Sequence, residues 1–318
     1  MIKKWHLKAV VQKTISFLPM GHKVNYWFQK NITKGVQLGD EYFYDRLEHA
    51  QHHIDTYQQY KGSLTNTQTL ELGTGWYPVV PFSLFLVGVD KITTIDISNL
   101  TDHQKLLDTL ARFVVILEDS SIEKYLQPLA ERKATLLQVA KEAHQLTAAQ
   151  ILQKLQISYL IEDARNLTSI ASDTIDLVHS NNTFEHVYPD VLAAILREFG
   201  RVVKPTGFQS HFVDMSDHFA HFDKSINIYN FLQYSNFAWD KIMDNSIQPQ
   251  NRWRYQQYVD LYQQLNLPLT ETDYRAGDIA AVKTIKVHAD FKQFTTEQLA
   301  ISHCYLYSDM SETSSKKE

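Results

Sequence analysis

The stretch Leu70–Pro81, LELGTGWYPVVP, decides how the chain is read. A short apolar run carries one acidic residue, Glu71, and then breaks on Gly73 and Gly75. Glycines at this spacing suit a tight strand-to-helix turn whose backbone comes close to a ligand, because glycine adopts φ angles that side chains forbid. TQTLELG, which leads into the turn, is a β-type run. PVVPFSLFLVGV, which leaves it, reads as a helix opened by proline, a residue that a first helical turn tolerates. About 20 residues on, KITTIDIS forms a second strand ending at Asp96, where a carboxylate can accept from both ribose hydroxyls of an adenosine-bearing cofactor. A G-x-G alone is equally a plain structural turn; the strand, the helix and Asp96 around it favour the cofactor.

The far side of the loop narrows the choice. A dinucleotide rests its pyrophosphate on the helix N-terminus and needs a third small residue there. Trp76, Tyr77 and Pro78 fill that space, and Glu71 repels a pyrophosphate. A carboxylate at this point suits a cofactor with positive charge. S-adenosylmethionine carries a sulfonium and an ammonium, and no phosphate.

Outward from the loop, ISYLIEDA, TIDLVHSN and FQSHFVDM read as a third, fourth and fifth strand. YPDVLAAILREFGRVVKPTG, between the fourth and fifth, reads as a helix ended by Lys-Pro and a turn glycine. Strands alternating with helices imply a parallel, doubly wound sheet with right-handed crossovers. Residues 99–156 are long for one crossover and predict an inserted helical unit, with a second helical insertion over about 217–265. VKTIKVHADF and AISHCYLYS predict a closing antiparallel pair. Residues 1–62, rich in Tyr, His and Gln, read as an N-terminal helical cap on an α/β domain over 63–310, and 311–318 as a flexible tail.

The ordered set LELGTG, TTIDIS, IEDARNL, TIDLVHSNNTFEHV and REFGRVVKPTG resembles the class I S-adenosylmethionine-dependent methyltransferases of the small-molecule type, over residues 67–215. The resemblance implies a mostly parallel, doubly wound, seven-stranded Rossmann-like sheet with S-adenosyl-L-methionine as cofactor. It implies that Glu71, Gly73 and Gly75 form the cofactor loop and that Asp96 holds the ribose. It sets Asp163 at the adenine amino group, Ala164 beside the ring, and Ser180 and Asn181 beside the methionine moiety. Trp76-Tyr77-Pro78 departs from the family, which has a smaller residue at the position of Tyr77. The aromatic edge either covers the sulfonium or walls the substrate pocket, an attraction worth roughly 0.5–2 kcal/mol for a cation on an aromatic face, or only packs on the inserted helices.

Methyl transfer is an in-line displacement at carbon, so the protein mainly positions the nucleophile. A hydroxyl nucleophile needs a base; an amine needs only an aligned lone pair. NNTFEH, after the fourth strand, offers His186 next to Glu185; SHFVDMSDHFAHFD, after the fifth, offers a dense run of His and Asp. His218 is the first choice of general base and His186 the second. Within the His/Asp run a divalent metal site competes with a hydrogen-bonded polar loop that lines the pocket. The polar loop is the expectation, with no metal. Tyr77, Asn182, His211, Asp214 and Arg252 are the expected substrate contacts, with the guanidinium of Arg252 or Arg254 able to pair with a substrate carboxylate. Tyr26, Tyr42 and Tyr44 are further candidates from the N-terminal helices.

Composition bounds the rest. The chain has 318 residues, a net charge of -5 and 44% hydrophobic residues, enough for a large core. The mild acidity speaks against nucleic acid as a partner. One cysteine, Cys304, excludes an intramolecular disulfide and a Cys-based zinc cluster, and fits a reducing, cytoplasmic location. No run of 18 apolar residues exists, so no stable membrane insertion is expected. MIKKWHLKAVVQKTISFLPMG reads as an amphipathic helix packed on the protein, without the unbroken apolar core of a secretory signal. A homodimer is compatible with the chain. The function expected is methyl transfer to a small polar acceptor, oxygen ahead of nitrogen. The alternative is transfer or cyclisation of the cofactor's aminocarboxypropyl chain, which releases methylthioadenosine.

Overall fold

The computed structural model describes residues 4–16, 37–245 and 249–314. Tyr26 and the far end of the polar tail lie outside the described residues. Seven strands form one sheet: β1 (Gln68–Leu72), β2 (Lys91–Asp96), β3 (Ile157–Ile161), β4 (Ile175–Asn181), β5 (Val203–Asp214), β6 (Glu271–Arg275) and β7 (His303–Asp309). Their order is β3-β2-β1-β4-β5-β7-β6. β1 runs parallel to β2 and β4, and β2 parallel to β3. The sheet is doubly wound and mostly parallel. Its order reverses at β1, so the crossovers leave β1 and β4 in opposite directions, the place where open α/β sheets receive ligands.

The chain divides into two compact units. The larger takes residues 38–181 and 194–211 and the C-terminal segment from 307. Its core follows from β-branched and aliphatic strands: Leu70, Ile92, Ile95 and Leu177 have no exposed surface. Helix α2 (Asp40–Lys61) buries Phe43, Leu47, Ala50, His53, Ile54 and Tyr57, and stops at Gly62, whose φ of 86° continues no helix. Every residue of α3 (Val79–Leu86) is buried, which explains its unbroken apolar sequence. Residues 99–156 fold mainly as three helices: α4 (His103–Glu118), α5 (Ala130–Glu142) and α6 (Ala148–Lys154). Asp102 caps α4 by accepting from the Lys105 backbone, and Thr147 with Gln150 forms a capping box on α6.

The other unit takes the described residues of 1–37 with 182–193 and 212–306. Its core gathers Trp5, Phe219, Tyr229, Phe231, Trp239 and Phe291. Helix α1 (Lys4–Ser16) contributes Trp5, Ala9 and Gln12 to the interior and leaves Leu7 and Val10 exposed. Two arginines organise the rest. Arg254, with no exposed surface, donates to the carbonyls of Met215, Leu299 and Ile301. Arg252 donates to the carbonyls of Phe231 and Tyr234 at 2.8 Å and to Asn236 Oδ1 at 2.6 Å, stacked between Trp239 and Phe291. Cys304 is buried in β7, and burial, reinforced by Glu185, pushes its thiol pKa up.

Two expectations are corrected. The helix α7 (Pro189–Val202) does not end in a Lys-Pro-Gly turn; β5 begins at once and carries Pro205 and Gly207. A Cβ on Gly207 would stand 2.7 Å from Val203 Cγ2 and 3.0 and 3.1 Å from the carbonyl oxygens of Ile175 and Asp176. Gly207 thus allows a close backbone approach inside the sheet. VKTIKVHADF is no strand. Asp278 caps a short helix, Ile279–Lys283, and a 3-10 turn covers Ala289–Phe291. Val282 and Phe291 are apolar because they fill the core of this unit. The strand neighbouring β7 is instead Glu271–Arg275, largely exposed and without apolar alternation.

Candidate active site

The larger unit builds the loop after β1 as its glycines require. Gly73 and Gly75 have φ of 81° and 70°, a region costly for residues with a Cβ. Gly73 N donates to the Ile95 carbonyl at 2.8 Å, and Gly75 N donates to Asp96 Oδ2 at 3.1 Å. Thr101 Oγ1 donates to the Gly75 carbonyl at 3.0 Å. Glu71 is 3% exposed and accepts from Thr94 Oγ1 at 2.8 Å. Burial pushes its pKa up to about 7, against the hydrogen bonds of Thr94 and Thr74. Burial likewise raises Asp96 to about 7, opposed by Gly75 N–H and reinforced by the charge of Glu71.

These residues fit S-adenosylmethionine. Two carboxylates near the ends of neighbouring strands, Glu71 buried and Asp96 half-buried, welcome a cation and hydroxyls and oppose phosphate. The aromatic edge has a structural partner. Tyr77 is 7% exposed and meets Tyr42 of α2 edge to face, with ring centroids 5.9 Å apart. The Lys105 ammonium of α4 lies 5.0 Å over Trp76. A Cβ at Gly75 would stand 3.7 Å from the Tyr42 hydroxyl, so α2 closes directly on the loop. Tyr44 stacks on Tyr125.

The remaining cofactor candidates fall in the same unit. Arg165 Nε donates to both carboxylate oxygens of Asp163 at 2.9 Å, holding its pKa below the usual range, and Ala164 is buried beside it. Ser180 Oγ pairs with His211 Nδ1 at 2.8 Å. Asn181 Oδ1 accepts from His53 Nε2 at 2.9 Å, and His53 Nδ1 pairs with Ser210 Oγ at 2.6 Å. His53, His179 and His211 are all fully buried. Burial lowers all three, His53 to about 3. His211 is therefore part of an internal network. His53 escapes the sequence reading because nothing in HAQHHID marks one histidine as the buried one.

The other unit gathers the acid–base candidates. His186 and His218 lie ring against ring, centroids 4.8 Å apart. His186 Nδ1 donates to the Pro249 carbonyl at 2.6 Å. Asp214 Oδ2 stands 3.4 Å from His218 Nε2 and 4.0 Å from His221 Nε2; its Oδ1 is 3.2 Å from His303 Nε2. His303 was not a sequence candidate. Burial lowers His186 to about 4, aided by His218. For His218 burial acts downward, but Asp214 overrides it and holds the imidazole above its ordinary value. Burial opposes ionisation of Asp214 too, and its histidine partners still bring it well below the carboxylate range. Asn182, with φ of 49°, donates through its backbone to the Phe212 carbonyl at 3.2 Å. Arg252 has both terminal nitrogens engaged inside the protein, as described above.

Residues 121–210 match the family model described as "Methyltransferase domain". The match begins after the glycine loop and Asp96 and takes in β3, β4, α7 and most of β5. No curated protein matches the chain. Solved structures are similar at low identity. The geranyl diphosphate C-methyltransferase of Streptomyces coelicolor A3(2), in complex with Mg2+, geranyl diphosphate and S-adenosyl-L-homocysteine, is 11% identical, with 84% of this chain and 81% of that one covered and a TM-score of 0.45. The phosphoethanolamine N-methyltransferase 2 of Haemonchus contortus, in complex with S-adenosyl-L-methionine, is 11% identical, with 81% and 52% covered and a TM-score of 0.44. The PH0226 protein of Pyrococcus horikoshii OT3 is 15% identical, with 86% and 92% covered and a TM-score of 0.45. Likenesses of this depth say nothing about the acceptor.

The sheet order and the glycine loop thus accompany a methyltransferase-domain match over residues 121–210. No helix among the described residues is long and apolar enough to cross a membrane.

Proposed function

We propose that the protein methylates a hydroxyl of a small polar acceptor. The observation that carries this reading is His218, set between His186 and the buried carboxylate of Asp214. A neutral amine already presents its lone pair, whereas a hydroxyl must lose its proton as it reacts. His218 is the proposed proton acceptor, oriented by Asp214, with His186 beside it. S-adenosylmethionine supplies an electrophilic methyl group on a sulfonium. Glu71 and Asp96 are proposed to hold its charge and ribose, with Asp163 and Ala164 at the adenine and Ser180 and Asn181 at the methionine end. Asn182 and Asp214 remain the proposed acceptor contacts, with Tyr77 as an aromatic wall. Arg252 and His211 are engaged inside the protein and are assigned no part in acceptor binding. The proposal keeps a cytoplasmic location, in line with a single, buried cysteine.

The test is product identification. The protein is incubated with cofactor labelled in its methyl group and a metabolite extract. S-adenosylhomocysteine together with an O-methylated product is expected. Methylthioadenosine in its place would overturn methyl transfer in favour of aminocarboxypropyl chemistry, and label on nitrogen would overturn the hydroxyl.

A further inference from the structure

We propose that Glu185, His186 and His218 bind one divalent transition-metal cation. A carboxylate oxygen of Glu185 and one ring nitrogen from each histidine all lie within 4.8 Å of one another. Donors about 2.1 Å from a cation stand roughly 3.4 Å apart in a tetrahedral site, so small side-chain rotations close this set on an ion. Two imidazoles and one carboxylate match the donor preference of Zn2+ and Fe2+; Mg2+ and Ca2+ prefer oxygen alone.

The surroundings prepare the ligands. His186 donates from Nδ1 to the Pro249 carbonyl at 2.6 Å, which leaves the lone pair on Nε2. A metal-binding histidine is held in this way, with its other nitrogen on a carbonyl or carboxylate. Asp214 Oδ2 stands 3.4 Å from His218 Nε2, placed to give the carboxylate form of the same support. Asp214 is itself fixed, accepting from Ser216 N at 2.8 Å. The turn that carries Glu185 and His186 is pinned from outside. Asn251 N donates to the Glu185 carbonyl at 2.9 Å, and Asn251 Nδ2 donates to the carbonyls of Phe184 and Val187 at 2.8 Å. Glu185 is 2% exposed, so its carboxyl group points inward.

In the sequence alone, a metal is suggested only within the run 211–223. The structure brings His218 to a second segment, NNTFEH, and the ligand set spans both. Three protein donors leave coordination positions for oxygen ligands, as in metal sites that act on substrate. The inference goes beyond the proposed function, because cation binding by this unit holds whatever the acceptor is. With the ion bound, His186 and His218 would be ligands, and the metal would lower the pKa of a coordinated hydroxyl so that its proton leaves to solvent; without it, His218 takes the proton itself.

The test is a titration of the chelator-stripped, dialysed full-length protein with Co2+, read by visible absorption. A band that saturates at one equivalent and is displaced by Zn2+ is expected. Glu185→Gln and His218→Gln, checked for unchanged circular dichroism, are each expected to lose it, while His221→Gln keeps it. Should either variant fail to fold, X-ray absorption at the zinc edge of the wild-type protein with one equivalent of Zn2+ decides: two imidazoles are expected in the first shell. No saturable band, a band that survives in both folded variants, or a zinc site with three or more imidazoles would overturn the proposal. Loss of turnover in His218→Gln without any Co2+ band would leave methyl transfer standing and assign His218 to proton removal alone.

Discussion

Glu71 and Thr94 stand directly opposite each other in the register of β1 and β2, and the threonine hydroxyl donates to the carboxylate at 2.8 Å. A buried acid near the tip of a central strand is thereby held in place by its neighbour strand. Its ionisation is left near neutrality, as is that of Asp96.

Cofactor affinity is expected to fall with acid. Both carboxyls are raised to about 7, and a cationic ligand prefers their ionised forms. Below that pH the free protein must release protons to bind, so affinity drops by up to about tenfold per unit for each group. Calorimetry with S-adenosylmethionine from about pH 8.5 down to about 5.5 checks this. Thr94→Val removes a bond to the charged form and should move the fall to higher pH. Constant affinity across the range would contradict the assignment of these acids.

Asp96→Ala is expected to weaken S-adenosylhomocysteine binding by roughly 10- to 100-fold, the loss of charged hydrogen bonds to ribose. NAD should show no binding to the wild-type protein, because Glu71 opposes its pyrophosphate. Equal affinity in Asp96→Ala would move the ribose elsewhere.

Acid should also destabilise the larger unit through His53. Its folded pKa is about 3, whereas the unfolded imidazole titrates near 6.5. Between those values the unfolded chain holds the extra proton, so stability is full above about 6.5 and declines as pH falls toward about 3. Urea unfolding at a series of pH values should show a shallower acid slope in His53→Gln. A slope identical to wild type would show that His53 is not the group responsible.

Arg254→Ala is expected to cost about 3 kcal/mol or more, because buried carbonyls of Met215, Leu299 and Ile301 lose their donor. Lys154→Ala removes an exposed ion pair with Glu142 at 3.4 Å and should change stability by less than about 1 kcal/mol. Chemical denaturation of both variants measures the contrast; comparable losses would refute it.

What sequence could and could not show follows from range. The cofactor loop is legible because Glu71, Gly73, Gly75 and Asp96 act through local turn geometry and strand ends. β1, β2 and β4 are legible as largely buried runs between breaks, and β3 and β5 as apolar runs beside them. β6 is not, because its exposed residues ETDYR carry no alternation. VKTIKVHADF misleads because its apolar spacing serves the Trp5–Phe291 core rather than a sheet face. Asp214 and His218 are readable as close neighbours in the chain, but His303 reaches Asp214 from a distant strand. His53 similarly meets Asn181 only through the packing of α2. Such pairings are set by tertiary topology, which leaves no mark in local spacing.

The burial of Cys304 makes the protein a quiet background for covalent labelling. Its thiol is enclosed and biased toward the protonated form, so maleimides should ignore it in the folded state. A cysteine introduced at exposed Ile97 or Phe237 then becomes the single reactive position, without deleting a native residue from a packed strand. A dye at Ile97 would sit just past Asp96 and report cofactor arrival as a change in fluorescence. The same reagent on the unaltered chain turns into an unfolding probe, since reaction there requires β7 to open.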